Sequence, residues 1–480
     1  MIRVKCIGHS SRYAVESLLK MFFPLERFSE KSPGENFLLT HVTSYHEQTR
    51  ILVIGRFGKT LAAQQTFLFQ NDRTEALQEA ICSSCYSLLC KITQKTLPWG
   101  TLTGVRPVKR VHRMLSEGKK PDQVLEELKN RFFVSPQKAS LALKTAQTQK
   151  RLLLPFHPKR YSLYISIPFC PTRCFYCSFV SQAIGEKSNL IASYLPLLYQ
   201  ELADTAALAK QYQLQLDCIY IGGGTPTILT ANQLDELLCL VNRLFLPKQL
   251  REFTVEAGRP DTITPGKLEV LRNHGVDRIC INPQSFSDSV LSAIGRKHTV
   301  EQTLEQYALA RTMGFHLINM DFITGLPEDT PELFSNSIGT AIELGAENIT
   351  LHALSVKRSS DFHREGVSST EAAEMLSKAT EQLLSHGYHP YYLYRQKSML
   401  SGLENVGYAL PGTESPYNIA VMEENQTVLA CGAGSVTKLV GWEKIVRIFD
   451  YKYPMEYQKR FEEMQCRRRQ IAEGLQALCI

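Results

Sequence analysis

From Tyr161 to His352 the chain alternates short strand-like runs with helical patterns, and this alternation restricts the possible folds more than any other feature. Strands are expected at Tyr161–Ile167, Leu216–Ile221, Glu252–Ala257, Arg278–Asn282, Leu317–Ile323 and Asn348–His352. Helical patterns lie between them, for example Ile191–Ala209, Ala231–Leu244 and Val300–Met313. Short apolar strands alternating with helices argue for a parallel α/β sheet, because each crossover helix packs on a sheet face. A full (β/α)8 barrel takes typically ~250 residues, so a partial, open (β/α)6 version is predicted.

In such barrels the active site lies at the C-terminal ends of the strands. The first strand runs into Cys170-Pro-Thr-Arg-Cys174-Phe-Tyr-Cys177, a C-x3-C-x2-C pattern. The second runs into Gly222-Gly-Gly-Thr225-Pro-Thr227. Glu256 ends the third, Gln284 and then Arg296 follow the fourth, Asp321 lies near the end of the fifth, and His352 ends the sixth. On this fold all of them converge on one mouth.

The cysteines carry the chemistry. Residues at i, i+4 and i+7 would share one helix face, and free cysteine is often buried. Pro171, however, keeps Cys170 out of helical angles. A loop lets three thiolates hold three corners of a [4Fe–4S] cubane, leaving one iron open to a small molecule. The triple glycine is neither a dinucleotide fingerprint nor a phosphate loop. Directly after a strand, its bare backbone suits close approach by a ligand. Glu256 and Asp321 have a structural alternative in buried ion pairs, and His352 in a satisfied core histidine.

Elsewhere the chain is less pointed. At 480 residues, two or three domains are expected. They are drawn as 1–155 (α/β, then helical and basic), 156–358 (the partial barrel) and 359–480 (mixed). In the first, Ile2–Ile7, Phe37–Val42 and Arg50–Gly55 read as strands, and Tyr13–Phe23, Glu75–Lys91, Gln123–Phe133 and Gln137–Leu152 as helices. Thirteen cysteines, an odd and scattered set, favour a reducing, cytoplasmic setting. Cys82, Cys85 and Cys90 read as packing in a helix and Cys431 as part of a tight turn. No apolar stretch is long enough for a membrane span, and the first residues read as a strand and not a signal peptide. The dispersed net charge of +7 suits a small anionic ligand and does not indicate nucleic acid.

The strings Tyr164-Ile-Ser-Ile-Pro-Phe-Cys170, the cysteine loop, Gly-Gly-Gly-Thr-Pro-Thr and Asp321-Phe-Ile-Thr-Gly-Leu-Pro327 together resemble the radical S-adenosylmethionine superfamily. The resemblance is closest to its oxygen-independent coproporphyrinogen III oxidase-like branch. Pro98-Trp-Gly-Thr-Leu-Thr-Gly-Val-Arg-Pro107 and Leu403-Glu-Asn-Val-Gly-Tyr-Ala409 look like the HemZ-type members. The resemblance implies the partial (β/α)6 barrel of that superfamily, a [4Fe–4S] cluster on Cys170, Cys174 and Cys177, and S-adenosylmethionine on the open iron. It implies cofactor contacts from Tyr164, Tyr176, Gly223, Gly224, Thr225, Glu256, Gln284, Arg296 and Asp321. It also implies an electron donor of flavodoxin or ferredoxin type.

The activity implied is oxidative decarboxylation of coproporphyrinogen III propionates to vinyl groups. Haem or porphyrin delivery and another radical reaction, such as methyl transfer, are the alternatives. A porphyrinogen carries several carboxylates, so Lys357, Arg358, Arg395, Lys397, Arg106, Lys109 and Arg110 are candidate partners for it. Two departures stand out. Phe179 occupies the place of a fourth cysteine in the authentic oxidase. Tyr417-Asn418-Ile-Ala-Val421-Met422 stands where the haem-chaperone subgroup carries His-Asn-x-x-Tyr-Trp.

Overall fold

The computed structural model describes the chain apart from residues 25, 32–33, 47, 70–73, 178–180, 186–188, 246–249, 356–368, 397–401 and 479–480. Phe179, Lys357, Arg358 and Lys397 lie outside the described residues. The chain packs as two compact units, Met1–Ala146 with Arg395–Glu404, and Gln147–Tyr394 with Asn405–Ile480. This packing division differs from the three segments read from the sequence pattern. Residues beyond Asn405 share a unit with the central strands.

In the first unit, β1 (Ile2–Ile7), β2 (Phe28–Ser29), β3 (Phe37–Tyr45), β4 (Gln48–Phe57) and β5 (Thr60–Phe69) form a sheet in the order β2-β1-β3-β4-β5. The helices Arg12–Phe22 and Thr74–Thr93 contribute Leu18, Leu19, Ile81 and Leu88 to the core with Val4 and Val53 of the sheet. Strand β5 is absent from the sequence reading because Ala62-Ala63-Gln64-Gln65 has low β propensity. The hairpin supplies what propensity lacks, since Phe57 pairs with Thr60 around Gly58-Lys59. Cys85 is fully buried in this core, and burial pushes the Cys82 thiol up to about 11, which fits packing. Trp99 Nε1 donates to Glu404 Oε2 at 2.7 Å, and Lys138 pairs with the same buried carboxylate. The tryptophan of the Pro98–Pro107 string is thus anchored by the Leu403–Ala409 string.

The second unit holds the predicted alternation. Its strands are β6 (Arg160–Ile167), β7 (Phe169–Cys170), β8 (Gln182–Ala183), β9 (Gln215–Gly223), β10 (Glu252–Glu256), β11 (Arg278–Cys280), β12 (Leu317–Thr324), β13 (Asn348–Ala353), β14 (His389–Tyr394), β15 (Asn405–Ala409), β16 (Thr427–Cys431), β17 (Val436–Val440) and β18 (Ile445–Phe449). Among the described residues one sheet runs β14-β15-β13-β12-β11-β10-β9-β6-β16-β17-β18. The six expected strands are its parallel centre. The C-terminal region of mixed pattern supplies both flanks. Strand β16 adds in parallel beside β6, while β15 pairs antiparallel with β13.

The two faces of the centre differ in chemistry. One face is apolar and inaccessible, with Ile165, Ile221, Val255, Ile279, Met320 and Leu351 at 0% exposure. Each such side chain contributes about 1.5–3 kcal/mol relative to exposure. Register puts Tyr164 opposite Tyr220, Thr254 opposite Tyr220, Glu256 opposite Cys280, and Asp321 opposite Thr350. The second face is therefore lined by hydroxyls, carboxylates and amides. Parallel sheets usually bury apolar residues on both faces, so this one has a polar interior to account for.

Candidate active site

Past Ile167 the chain forms the short strand β7, where Phe169 pairs with Gln182 and Cys170 with Ala183. Gln182 N donates to Pro168 O at 2.8 Å and Ile184 N to Cys170 O at 3.0 Å. Cys170 is thus held in extended backbone, as Pro171 requires. A tight turn follows, with Cys177 N on Cys174 O at 3.1 Å, while Phe175 N reaches Ile294 O at 3.2 Å. Cys174 is buried, and Cys170 and Cys177 are partly exposed. Among the described residues no three His, Cys, Asp or Glu side chains gather at a single ion. A cubane held at three separate corners does not require that.

The glycine turn abuts this loop. Gly223 sits at φ +110°, a conformation that side chains rarely adopt. At Gly222 a Cβ would stand 2.9 Å from the carboxyl carbon of Glu256, so the missing side chain makes room for that acid. The amides of Gly224 and Thr225 are spent on the carbonyls of Ile167 (2.9 Å) and Phe169 (2.8 Å). Their backbone therefore ties the turn to the cysteine loop, and these two amides do not reach outward. Thr225 is buried, with its hydroxyl 3.5 Å from Cys170 Sγ. Tyr220 donates its hydroxyl to Glu256 Oε1 at 2.7 Å. Burial pushes the Glu256 carboxyl up to about 7; Asp321 adds to this, and the bonds from Tyr220 and the Gly223 backbone oppose it.

The fourth and fifth strand ends add an unusual set. Gln284 lies at φ +72° and donates its amide to Asp321 O at 2.9 Å. Its side-chain Oε1 is buried without a partner. Arg296 donates from Nη1 to Asn282 O at 2.6 Å and from Nη2 to Tyr176 OH at 3.3 Å, while its Nε has no partner. Asn282 Oδ1 and both ring nitrogens of His298 are likewise buried and unpartnered. Burial works to raise the Asp321 carboxyl, but His352 at 3.7 Å and Asn319 at 2.8 Å outweigh it and hold it below the usual range. Tyr164 stacks on Tyr220 at 6.2 Å between ring centres, and Tyr220 on Tyr417 at 4.5 Å.

The expected cluster and cofactor residues therefore all lie in the second unit, on the central strands or in the loops that follow them. Buried polar atoms are normally paired. Here donors (Arg296 Nε) and acceptors (Gln284 Oε1, Asn282 Oδ1) stand unsatisfied together. Such a set fits a bound zwitterion carrying a carboxylate and an ammonium. The candidate anion-binding cations fare differently. Arg395 is buried and donates to the carbonyls of Leu102 and Gly402, and Arg110 pairs with Glu79 at 2.8 Å. Their charges are committed to the fold. Arg259, Asn282, His298 and Tyr220 did not figure among the expected site residues. Position is the signal for Arg259, Asn282 and Tyr220, each on or just past the end of a predicted strand, whereas His298 lies well beyond Asn282 and has none.

The sequence pattern of the radical SAM superfamily matches residues 164–339. The oxygen-independent coproporphyrinogen-III oxidase-like protein HemZ of Bacillus subtilis is 41% identical over 84% of this chain and 84% of its own length. The chain belongs to the radical SAM superfamily, in this coproporphyrinogen oxidase-like family. The superfamily's cofactors are a [4Fe–4S] cluster and S-adenosylmethionine. This radical SAM protein is also 35% identical to the heme chaperone HemW of Bacillus subtilis, over 57% of this chain and 70% of that one. The solved coproporphyrinogen III oxidase HemN of Escherichia coli superposes with a TM-score of 0.52 at 23% identity, covering 66% of this chain and 72% of that one. That likeness supports the shared fold. No helix among the described residues is long and apolar enough to cross a membrane.

Proposed function

We propose that this radical SAM protein decarboxylates propionate side chains of coproporphyrinogen III to vinyl groups without oxygen. The carrying observation is the 41% identity to HemZ across most of both chains, joined to a strand-end site whose unsatisfied polar atoms suit a zwitterionic cofactor. Cys170, Cys174 and Cys177 hold the cluster through three thiolates. When bound, the cluster and S-adenosylmethionine supply a carbon radical able to take an unactivated hydrogen.

The chain's own residues position and shield. Arg296 offers its free Nε–H to a carboxylate, and Gln284 Oε1 accepts from an ammonium. Glu256, raised to about 7, and Asp321, held below the usual carboxylate range, accept hydrogen bonds from hydroxyl or ammonium groups. Tyr164, Tyr176 and the Gly223-Gly224-Thr225 turn line the cofactor and exclude water. A low-potential flavodoxin- or ferredoxin-type protein serves as electron donor.

The 35% identity to HemW favours a second reading, haem or porphyrin delivery. Against it, Tyr417 replaces the histidine of that subgroup and is stacked inside the sheet on Tyr220.

An anaerobic assay of reconstituted protein with coproporphyrinogen III, S-adenosylmethionine and dithionite separates the readings. Vinyl product with 5′-deoxyadenosine is expected. Stoichiometric haem binding without product supports delivery instead. Alanine at Cys170, Cys174 or Cys177 is expected to abolish the four-iron cluster, read as iron content and visible absorbance. A retained, active cluster would overturn the assignment.

A further inference from the structure

One buried cation on the cysteine loop has no part in the reading above. Arg259 follows β10 in the string Ala257-Gly-Arg-Pro260 and is 3% exposed. Its Nη1 donates to Thr172 Oγ1 at 2.8 Å, inside the cysteine loop, and lies 4.0 Å from Cys174 Sγ. The other side of its fork is clamped by Asp261, with Nε on Oδ1 at 2.9 Å and Nη2 on Oδ2 at 2.7 Å. Such a bidentate clamp fixes the guanidinium plane. Thr172 and Asp261 thus hold the charged Nη1 beside one thiol. Arg296 also reaches Cys174, and His298, with neither ring nitrogen hydrogen-bonded, lies in the field of both arginines.

We infer that Arg259 is a positioning residue that sets the reduction potential of the cluster held by the three cysteines. This inference rests on the cysteine assignment above. Three thiolates and a four-iron core carry net negative charge, and one-electron reduction adds one more. A buried guanidinium beside Cys174 therefore favours the reduced form, and donors directed at ligating sulfur act in the same direction. Asp261 opposes it by compensating part of that charge. The electron comes from the external low-potential donor; no bond at Arg259 forms or breaks, and no proton moves.

Two substitutions push in opposite directions. In reconstituted full-length protein, titrated with a low-potential chemical reductant and followed by electron paramagnetic resonance, Arg259→Leu is expected to lower the midpoint potential. A tenfold shift in the reduction equilibrium is about 59 mV for one electron. Asp261→Asn is expected to raise it by a smaller amount, and Arg259→Lys to restore part of the loss. Loosening of the loop alone would not move the two potentials oppositely. Wild-type protein that binds no four-iron cluster sinks the cysteine assignment. A normal cluster with unshifted potentials in both Arg259→Leu and Asp261→Asn overturns the inference about Arg259 and leaves the assignment standing.

Discussion

The polar face of the sheet has two ends, and they treat their buried polar groups in opposite ways. At the N-terminal end, Glu252 accepts from Arg278 Nε (3.1 Å), Ser415 Oγ (2.8 Å), Thr254 Oγ1 (2.5 Å) and Tyr417 N (3.0 Å). Arg278 also donates to Asn348 and to Thr413 O, and Asn348 Nδ2 to the same carbonyl at 2.9 Å. Every one of these groups is used. At the C-terminal end, Gln284, Arg296, Asn282 and His298 keep bare atoms in equally buried surroundings. A closed network gains its full return from folding alone, whereas an open one gains only when something binds. The difference separates a scaffold end from the end proposed as the site.

The comparison breaks most readily at Arg278. Arg278→Leu leaves the buried Glu252 without its counter-charge, and should cost about 3–5 kcal/mol of stability in denaturant unfolding. Gln284→Ala should stay within about 1 kcal/mol of wild type yet weaken S-adenosylmethionine binding by about tenfold, or ~1.4 kcal/mol, in calorimetry. Equal stability losses at the two positions, with cofactor binding untouched, would erase the distinction between the ends. A subtler test uses pH. The folded state keeps a proton on Glu256 that the unfolded chain has already released. Stability should therefore fall as pH rises from the ordinary carboxyl range to about 7 and level off beyond it. Glu256→Gln should flatten that slope. The smallest effect is expected from Tyr220→Phe. It removes a donor that favours the ionised carboxyl, so the levelling point should move above 7.

The central strands were legible because register and burial there follow local chemistry. Ile2–Ile7 of the first unit and Asn348–His352 of the central sheet alike carry their own β-branched signal, and the structure extends the latter by a single residue. The cysteine loop was legible because Pro171 excludes a helix. What stayed hidden depends on distant partners. Thr427–Cys431 becomes a parallel strand only because β6 offers it an edge. Tyr417 enters the polar interior only because Glu252 accepts its backbone amide. Arg259 gave no local sign that Thr172 and Asp261 would hold it beside Cys174. Arg395 misled in the other direction. A basic residue near the end of β14 suggests an anion site, but its donors go to carbonyls of its own unit.

Strand β6 carries the cysteine loop, and its neighbour β16 lies far along the chain. Gln426 Nε2 bonds Ser162 Oγ at 2.8 Å across 264 residues. At about 5–20 residues per second, a ribosome needs roughly ten to fifty seconds to make that span. Until then β6 presents a bare edge, the kind that recruits stray strands. The nascent chain must therefore carry its cysteines on an unfinished border for much of its synthesis. That border stays open to stray pairing until Cys431 has emerged.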